Sequence, residues 1–234
     1  MDLAKVKRAF QRNRYQCRVF ETKEEAAVYL DREIDGMTVG FGDSLTLQTM
    51  GMYEKLSTHN TVWDVHQIDR EKNGFAKSNA AFLDMARKAM TADVFLLSVN
   101  GATETGVMVN LDGTGNRVSG SLFGHRKVYF VFGVNKIAPT LEKAISRARN
   151  VAAPKNVARH HYLCGCSAHG GDRCYDCGAP DRICNVLAVY YKKMRNVEME
   201  VIIINEKLGY SPHRPDAAPA APCPIPDSSP GLPR

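Results

Sequence analysis

Five of the seven cysteines in this 234-residue chain fall within one short segment, CGCSAHGGDRCYDCGAPDRIC, residues 164–184. Their spacing is C-x-C-x7-C-x2-C-x6-C. A CxxC pair lets two thiolates reach one metal ion from a tight turn, and two further cysteines nearby could complete a tetrahedral site. Four thiolates suit either Zn²⁺ or a [4Fe–4S] cluster, and the spacing does not distinguish the two. The segment therefore predicts a metal-binding loop.

The same cysteines have two simpler interpretations. They could be separate free thiols, or Cys174 and Cys177 could form a thiol–disulfide switch, because a CxxC pair can lower a thiol pKa. A metal is favoured, since the segment has few large apolar residues and a bound metal would supply folding free energy. A neighbouring histidine could replace one thiolate, and the candidates are His160, His161 and His169. Cys17 and Cys223 receive no role.

Polar residues also follow the first apolar strand, in the stretch VGFGDSLTL. Glycine allows a close approach of the backbone to a ligand, and free amides at a helix N-terminus favour an anion. The predicted anion-binding residues of this loop are Gly42, Asp43, Ser44 and Thr46. Ser44 has a second interpretation, as a simple helix N-cap.

Two more polar loops follow buried strands. NGATETG, residues 100–106, contributes Asn100, Thr103 and Glu104, and GVNK contributes Asn135 and Lys136. A carboxylate at the end of a strand, such as Glu104, can act as a general base or nucleophile if its neighbours tune its pKa. It can equally orient a loop through hydrogen bonds to the backbone. Lys136 could neutralise an anionic substrate or face solvent.

The elements that carry these loops predict an α/β fold. DVFLLSV and KVYFVFG are nearly continuous apolar runs, typical of strands covered on both faces. Further strands are predicted over 37–41, 61–65 and 200–205, and helices over 22–34, 45–56, 76–90 and 140–150. Residues 186–191 form a short apolar run. This alternation indicates a mainly parallel sheet with helices on both faces. Ligands of such sheets bind beyond the carboxyl ends of the strands, where the three polar loops should meet.

Three further segments are predicted outside this alternation. GVMVNLDGTGNRVSGSLFG alternates apolar and polar residues on both sides of DGTG, which predicts a β-hairpin. Residues 1–21 are predicted to form a basic amphipathic helix. The main domain is predicted to follow over 22–210 and to include a Cys-rich loop over 160–185. Eight of the last 24 residues are proline, so residues 211–234 predict a disordered tail.

Composition places the chain among ordinary globular proteins, with 44% apolar and 24% charged residues. The sequence lacks an apolar run long enough to span a membrane and an apolar signal-peptide segment, which predicts a cytoplasmic protein without structural disulfides. The net charge is +6, and residues 1–18 carry six basic side chains against one acid. Because the remaining charge is nearly balanced, no nucleic-acid binding is expected.

Three stretches, GVMVNLDGTGNRV, FGVNKIAPTLEKAISRARNVAAPKNVAR and CYDCGAPDRICN, resemble the LUD-domain, or lactate-utilisation, family. The resemblance covers residues 22–210. It implies a fold similar to the NagB/RpiA/CoA-transferase-like superfamily, with GFGDS where relatives hold phosphate or an acyl carrier and a catalytic carboxylate at Glu104. Because LUD-type sequences show a cysteine shortly before the CxxC pair, the resemblance favours Cys166 over Cys164 as first ligand. The expected metal ligands are Cys166, Cys174, Cys177 and Cys184, with Cys164 as the alternate.

Three functional hypotheses follow. The first is a LUD-domain protein in the redox metabolism of a small 2-hydroxy or 2-oxo acid, in which GFGDS and Lys136 hold the anion and the loop carries a [4Fe–4S] cluster. The second is a hydrolase or transferase acting on a phosphosugar or acyl thioester, with Glu104 as base or nucleophile and a structural zinc. The third is a non-catalytic subunit whose basic helix docks on an iron–sulfur protein; self-association is a further option.

Overall fold

The computed structural model of the chain describes residues 1–64 and 70–211, without the side chains of 70–79. The strands are β1 Gln16–Phe20, β2 Thr38–Phe41, β3 Thr61–Trp63, β4 Val94–Leu97, β5 Gly101–Thr103, β6 Met108–Asp112, β7 Lys127–Gly133, β8 Ile137–Ala138, β9 Val186–Tyr190 and β10 Glu198–Ile204. The tail predicted to be disordered lies outside the described residues, except for Ser211.

The helices alternate with these strands. They are α1 Leu3–Arg12, α2 Lys23–Glu33, α3 Leu45–Thr49, α4 Met52–Ser57, α5 Arg70–Ala89, α6 Asn116–Leu122, α7 Leu141–Arg147, α8 Ala153–Arg159 and α9 Gly165–Ala168. A π-helical turn over Ala148–Ala152 joins α7 to α8. Among the helices of the described ranges, none has both the length and the apolar character that a membrane span requires.

The larger sheet confirms the predicted parallel α/β architecture. Within the described ranges it has six strands in the order β1-β10-β7-β4-β2-β3, and every neighbouring pair is parallel. Successive side chains of β4 enter opposite cores: Leu96 packs in a core with α2, α3 and α4, whereas Phe95 and Leu97 pack in a core with α1 and the end of α5. Burial on both faces explains the continuous apolar runs of the sequence.

A second sheet, in the order β8-β5-β6-β9, stands beside the first. Here β6 pairs antiparallel with both β5 and β9, and β5 pairs parallel with β8. This sheet overturns the predicted hairpin about DGTG, because α6 begins only four residues after β6 ends. The Asp112 carboxylate accepts hydrogen bonds from the backbone N–H groups of Thr114, Gly115 and Val118, which turns the chain into a helix.

Other predicted boundaries shift for local reasons. The helix predicted over residues 1–21 ends at Arg12, and after a left-handed residue at Arg14 the chain forms β1, an edge strand paired with β10. The helix predicted over 45–56 is divided at Gly51, whose φ is +65°. The helix predicted over 140–150 is instead longer than expected, because the helical stretch continues through the π-helical turn to Arg159.

Candidate functional site

A cavity of about 370 Å³ lies at the carboxyl edge of the large sheet. The loops that follow β2, β4, β7 and β10 form one side of it, as expected for a parallel sheet. The segment from β6 into α6 and the helical stretch α7–α8 form the other side. The polar and charged residues of the lining include Asp43, Ser44, Thr46, Ser98, Asn100, Asp112, Arg117, Lys136, Arg147, Asn156, His160 and Tyr210.

Lys136 lies at the back of this cavity with its side chain almost fully buried, at 6% exposure. Its Nζ donates hydrogen bonds to Ser98 Oγ at 2.8 Å and to Thr46 Oγ1 at 2.9 Å. Ser98 directs its own hydroxyl proton to the carbonyl of Val131 at 2.6 Å, so its oxygen is free to accept. Burial lowers the pKa of Lys136 well below its usual value, and the neighbouring Arg147 and Arg117 lower it further.

Arg147, the last residue of α7, is held by backbone carbonyls within the described part of the chain. Its Nε donates to Asn135 O at 3.1 Å, and its Nη groups donate to the carbonyls of Asn100 and Tyr210. Burial lowers the pKa of this guanidinium to about 10, so it keeps its charge at neutral pH. The carbonyls hold the group in place without neutralising it.

Arg117, in the first turn of α6, is likewise bound to neutral acceptors. Its Nη2 donates to Asn100 Oδ1 at 2.8 Å, Asn110 Oδ1 at 3.1 Å and Leu111 O at 3.1 Å. The ion pairs found among the described residues include none made by Arg117, Arg147 or Lys136. Three basic side chains, two arginines and one lysine, therefore line one cavity without a carboxylate partner among the described residues.

The two carboxylates that line the cavity are engaged elsewhere. Asp43 accepts from Arg159 Nη2 at 3.0 and 2.9 Å and lies 2.9 Å from His160 Nε2. Asp112 is bound by the three backbone N–H groups at the start of α6. Asp43 is paired with Arg159, so among the described residues Asp112 is the one other carboxylate that lines the cavity with the two guanidinium groups of Arg117 and Arg147. The cavity therefore keeps an excess of positive charge, which favours a small anion.

Five of the nine predicted substrate or catalytic residues line the cavity, namely Asp43, Ser44, Thr46, Asn100 and Lys136. Ser44 is also the N-cap of α3, with its Oγ accepting from Leu47 N at 3.3 Å, so the simpler interpretation of this residue applies. Asn100 acts through its Oδ1, which accepts from Arg117 and from Leu111 N at 2.7 Å. The convergence of the three loops predicted from the sequence is thus observed.

Gly42, Thr103 and Asn135 lie outside the lining and support it. A Cβ at Gly42 would lie 2.3 Å from Arg117 Cγ, so the glycine makes room for the arginine instead of approaching a ligand. The Thr103 hydroxyl accepts from Val107 N at 3.0 Å inside the β5–β6 turn. Asn135 bonds to Leu208, Tyr210 and Ser211, which fixes the segment after β10 against the cavity.

Glu104, the predicted catalytic carboxylate, also lies outside the lining. It occupies the turn between β5 and β6, where its backbone N–H donates to Ala138 O at 3.0 Å. The same turn contacts the end of α1, because the side chain of Asn13 donates to the carbonyls of Thr105 and Gly106. A role of Glu104 in chemistry within the cavity receives no support from this placement.

The five cysteines of residues 164–184 do not all pack together. Cys164 and Cys166 lie with their sulfur atoms 3.6 Å apart and pack in one apolar cluster with Cys177. Cys174 lies 3.9 Å from Arg149 Nη2, and Cys184 packs beside a different cluster. In residues 1–64 and 70–211 as described, no three His, Cys, Asp or Glu side chains are arranged to hold a metal ion. The predicted set of four thiolates is therefore not assembled in this structure.

The thiols also differ in acidity. Burial, reinforced by Cys164, raises the pKa of Cys166 to about 12. At Cys177, partial burial raises the thiol pKa, but the backbone N–H groups of Ala179 and Gly165 together with Arg182 outweigh that effect and lower it. Cys177 is therefore the more reactive of the two. The loop over 160–185 contributes His160, Tyr162 and Ile183, but no cysteine, to the lining of the cavity.

The residues predicted for this site did not include five that line the cavity: Ser98, Arg117, Arg147, Asn156 and Tyr210. Ser98 carried a signal, because a single hydroxyl interrupts the apolar run of β4 just before its loop. Nothing in the sequence indicated that the two arginines would line the cavity. Arg147 belongs to a helix, and Arg117 belongs to a segment expected to be a strand.

The molecule is thus an α/β protein with an electropositive cavity at the ends of its parallel strands. The chain belongs to the LUD domain family, whose sequence model matches residues 3–204. This match includes the N-terminal segment that forms α1 and β1. The crystal structure of a DUF162 family protein from Deinococcus radiodurans aligns with 86% of this chain and 95% of that chain, at 13% identity and a TM-score of 0.44. No curated protein matches the sequence.

Proposed function

We propose that this LUD-domain protein binds a small 2-hydroxy or 2-oxo acid in the strand-end cavity and acts in its redox metabolism. The observation that carries the proposal is the pair Arg117 and Arg147, which line one cavity and have only neutral acceptors among the described residues. Guanidinium groups form charge-assisted, often bidentate bonds with carboxylates, and these bonds are strong where water is excluded.

The rest of the cavity fits the second functional group of such a ligand. A 2-hydroxy or 2-oxo acid carries an oxygen on the carbon next to its carboxylate. Ser98, Thr46 and Lys136 present hydroxyl and amino groups on the sheet side of the cavity. The volume of about 370 Å³ is at the lower end of the range for ligand pockets, which favours a small acid over a large acyl carrier.

A [4Fe–4S] cluster in the cysteine segment, with zinc as the alternative, belongs to the same proposal. Its support is the soft donor set of five cysteines within 164–184. In the described geometry Cys166 and Cys177 belong to one apolar cluster, Cys184 packs beside another and Cys174 contacts Arg149. The segment would have to rearrange to bring four thiolates together. An electron-transferring partner, such as an iron–sulfur subunit, would complete the redox role.

Calorimetric titration tests the binding step. Lactate and pyruvate are each titrated into the protein, with acetate and a phosphosugar as comparison ligands. We expect saturable binding of lactate or pyruvate, weaker binding of acetate, and a loss of about 10- to 100-fold in affinity in Arg117→Met, because a charge-assisted hydrogen bond contributes about 1.5–3 kcal/mol. Arg149→Met is the matched control, since Arg149 is exposed and does not line this cavity.

The comparison ligands give the contrary outcomes. Binding of the phosphosugar without lactate or pyruvate would favour the hydrolase or transferase hypothesis. If none of these anions binds, the cavity is not an anion site and the proposal fails.

A further inference from the structure

Lys136 differs from an ordinary lysine in its surroundings. Lysine side chains are almost never fully buried unless they are paired with an acid. The Nζ of Lys136 is buried, yet its hydrogen-bond partners are the hydroxyls of Ser98 and Thr46. Its charged neighbours are Arg147 and Arg117, which are cations. A purely structural lysine at this position would be expected to have a carboxylate beside it.

These surroundings favour the neutral amine. Burial disfavours the ammonium form, and the two guanidinium groups repel it, so the pKa of Lys136 falls well below its usual value. A lysine that is desolvated or adjacent to another cation is the form of this side chain that acts as a nucleophile towards carbonyl groups. The hydroxyl of Ser98 keeps the amine oriented by accepting one of its protons.

The amine also has access to the cavity. Lys136 lines it, together with Gly209 from the segment that follows β10. A Cβ at Gly209 would lie 3.2 Å from Lys136 Nζ and 3.0 Å from Thr46 Oγ1. The glycine therefore leaves the space beside the amine open, and a small ligand held by the arginines can approach the nitrogen there.

We propose that Lys136 is a nucleophile that forms an imine with the carbonyl carbon of a 2-oxo acid bound in this cavity. The inference rests on the proposed function, because it requires that ligand class. The nitrogen lone pair forms a C–N bond while the C=O π electrons move to oxygen. The oxygen takes up protons and leaves as water, the nitrogen loses its protons, and the net reaction of amine with carbonyl gives imine and water. Imine formation changes no oxidation state, so the reaction requires neither an oxidant nor a reductant.

Borohydride trapping tests the step. The full chain is incubated with pyruvate and sodium borohydride, and the intact mass and the modified peptide are determined by mass spectrometry. We expect one reduced pyruvate adduct per chain, located on Lys136, and no adduct when lactate replaces pyruvate. The adduct should persist in Lys143→Met, whose exposed lysine is the matched control, and be absent from Lys136→Met and Lys136→Arg.

The two lysine variants are first checked by circular dichroism and thermal unfolding. Trapping spread over several surface lysines, or retained in Lys136→Arg, would overturn the assignment.

A calorimetric titration of pyruvate separates this inference from the proposed function. If wild-type protein binds pyruvate but gives no adduct, Lys136 is not a nucleophile while the binding proposal stands. If neither binding nor an adduct is found, both are wrong. Binding with an adduct confined to Lys136 supports both.

Discussion

The amino group of Lys136 lies 2.8 Å from the hydroxyl of Ser98, across the ends of the adjacent strands β7 and β4. This contact joins two of the loops that form the cavity. Because the Ser98 proton is given to Val131 O, the serine oxygen can only accept from the lysine. The pair therefore fixes the position of a buried amine at the point where the strand-end loops meet.

The buried amine should make stability depend on pH. The pKa of Lys136 is lowered in the folded protein, whereas in the unfolded chain it returns to about 10.4. Between these values the unfolded chain binds the extra proton, so the free energy of unfolding should rise with pH. We expect Lys136→Met to reduce this rise below about pH 10.4, where the lysine of the unfolded chain is still protonated. Urea unfolding at several pH values measures it.

Lys143→Met is the control for this titration, since its exposed side chain should leave the pH dependence as in wild type. An unchanged slope in Lys136→Met would show that the amine is charged in the folded protein.

Gly42 should be needed for the position of Arg117. A Cβ at residue 42 would lie 2.3 Å from Arg117 Cγ and 3.3 Å from Leu97 Cβ. We expect Gly42→Ala to displace the guanidinium and to weaken binding of lactate or pyruvate at least as much as Arg117→Met does. Calorimetry measures the affinity. Gly36→Ala is the control for backbone strain. Gly36 has a φ of +62° and open space around it, so an alanine there strains the backbone without contacting the cavity. Equal losses in both variants would point to stability instead.

Glu200 should be a major contributor to stability. Its side chain is fully buried and accepts from Tyr29 Oη and Arg18 Nε, each at 2.9 Å, while Lys127 Nζ lies 2.8 Å away. Removing one member of a buried ion pair leaves an uncompensated charge and costs about 3–5 kcal/mol. We expect that loss in Glu200→Ala by urea unfolding. The exposed Glu198 on the same strand is the control, with an expected change within about 0.5 kcal/mol on substitution by alanine.

His59 should contribute stability at low pH. Its two ring nitrogens lie 3.0 Å from Asp31 and 2.9 Å from Asp35, and these bonds raise the pKa of the imidazole. The contribution is therefore complete below about pH 6.5, the value for the unfolded chain, and is lost as pH rises through the raised value. Comparison of wild type with His59→Gln from pH 5 to 8 should show a difference that shrinks with rising pH and with added salt. A difference that grows with pH would contradict this.

The cysteine segment should bind metal through its CxxC pair if the cofactor proposal holds. Protein purified without oxygen is expected to be brown, with stoichiometric iron and sulfide, or colourless with one zinc in the alternative. Cys174→Ser and Cys177→Ser should each lower the metal content, measured by elemental analysis. Cys17→Ala is the control, because Cys17 is buried in the sheet core, where burial raises its thiol pKa to about 12. A metal-free protein whose stability is indifferent to the first two substitutions would exclude the metal.

Elements that depend on a local pattern could be predicted from the sequence. The strand over Lys127–Gly133 has the predicted bounds, and β4 lies within its predicted range, because a strand buried on both faces needs a continuous apolar run. The hairpin predicted about DGTG was wrong, because a contact within the turn outweighed the alternating pattern. Its alternation is compatible with a strand, but the Asp112 carboxylate binds three backbone N–H groups and starts a helix there.

The α/β class, the resemblance to the LUD family and the meeting of three strand-end loops could be predicted from the sequence, because each depends on local patterns and on the parallel arrangement of buried strands. Tertiary structure alone decided the charge of the cavity. Arg117 and Arg147 reach it from different elements, and Arg147 is bound by the carbonyls of Asn100 and Tyr210, which are 47 and 63 residues away in the chain. It also decided that the four predicted cysteine ligands do not converge on one metal site in the described part of the chain. Whether a charged or thiol side chain has a partner depends on contacts between segments, which the order of residues does not encode locally.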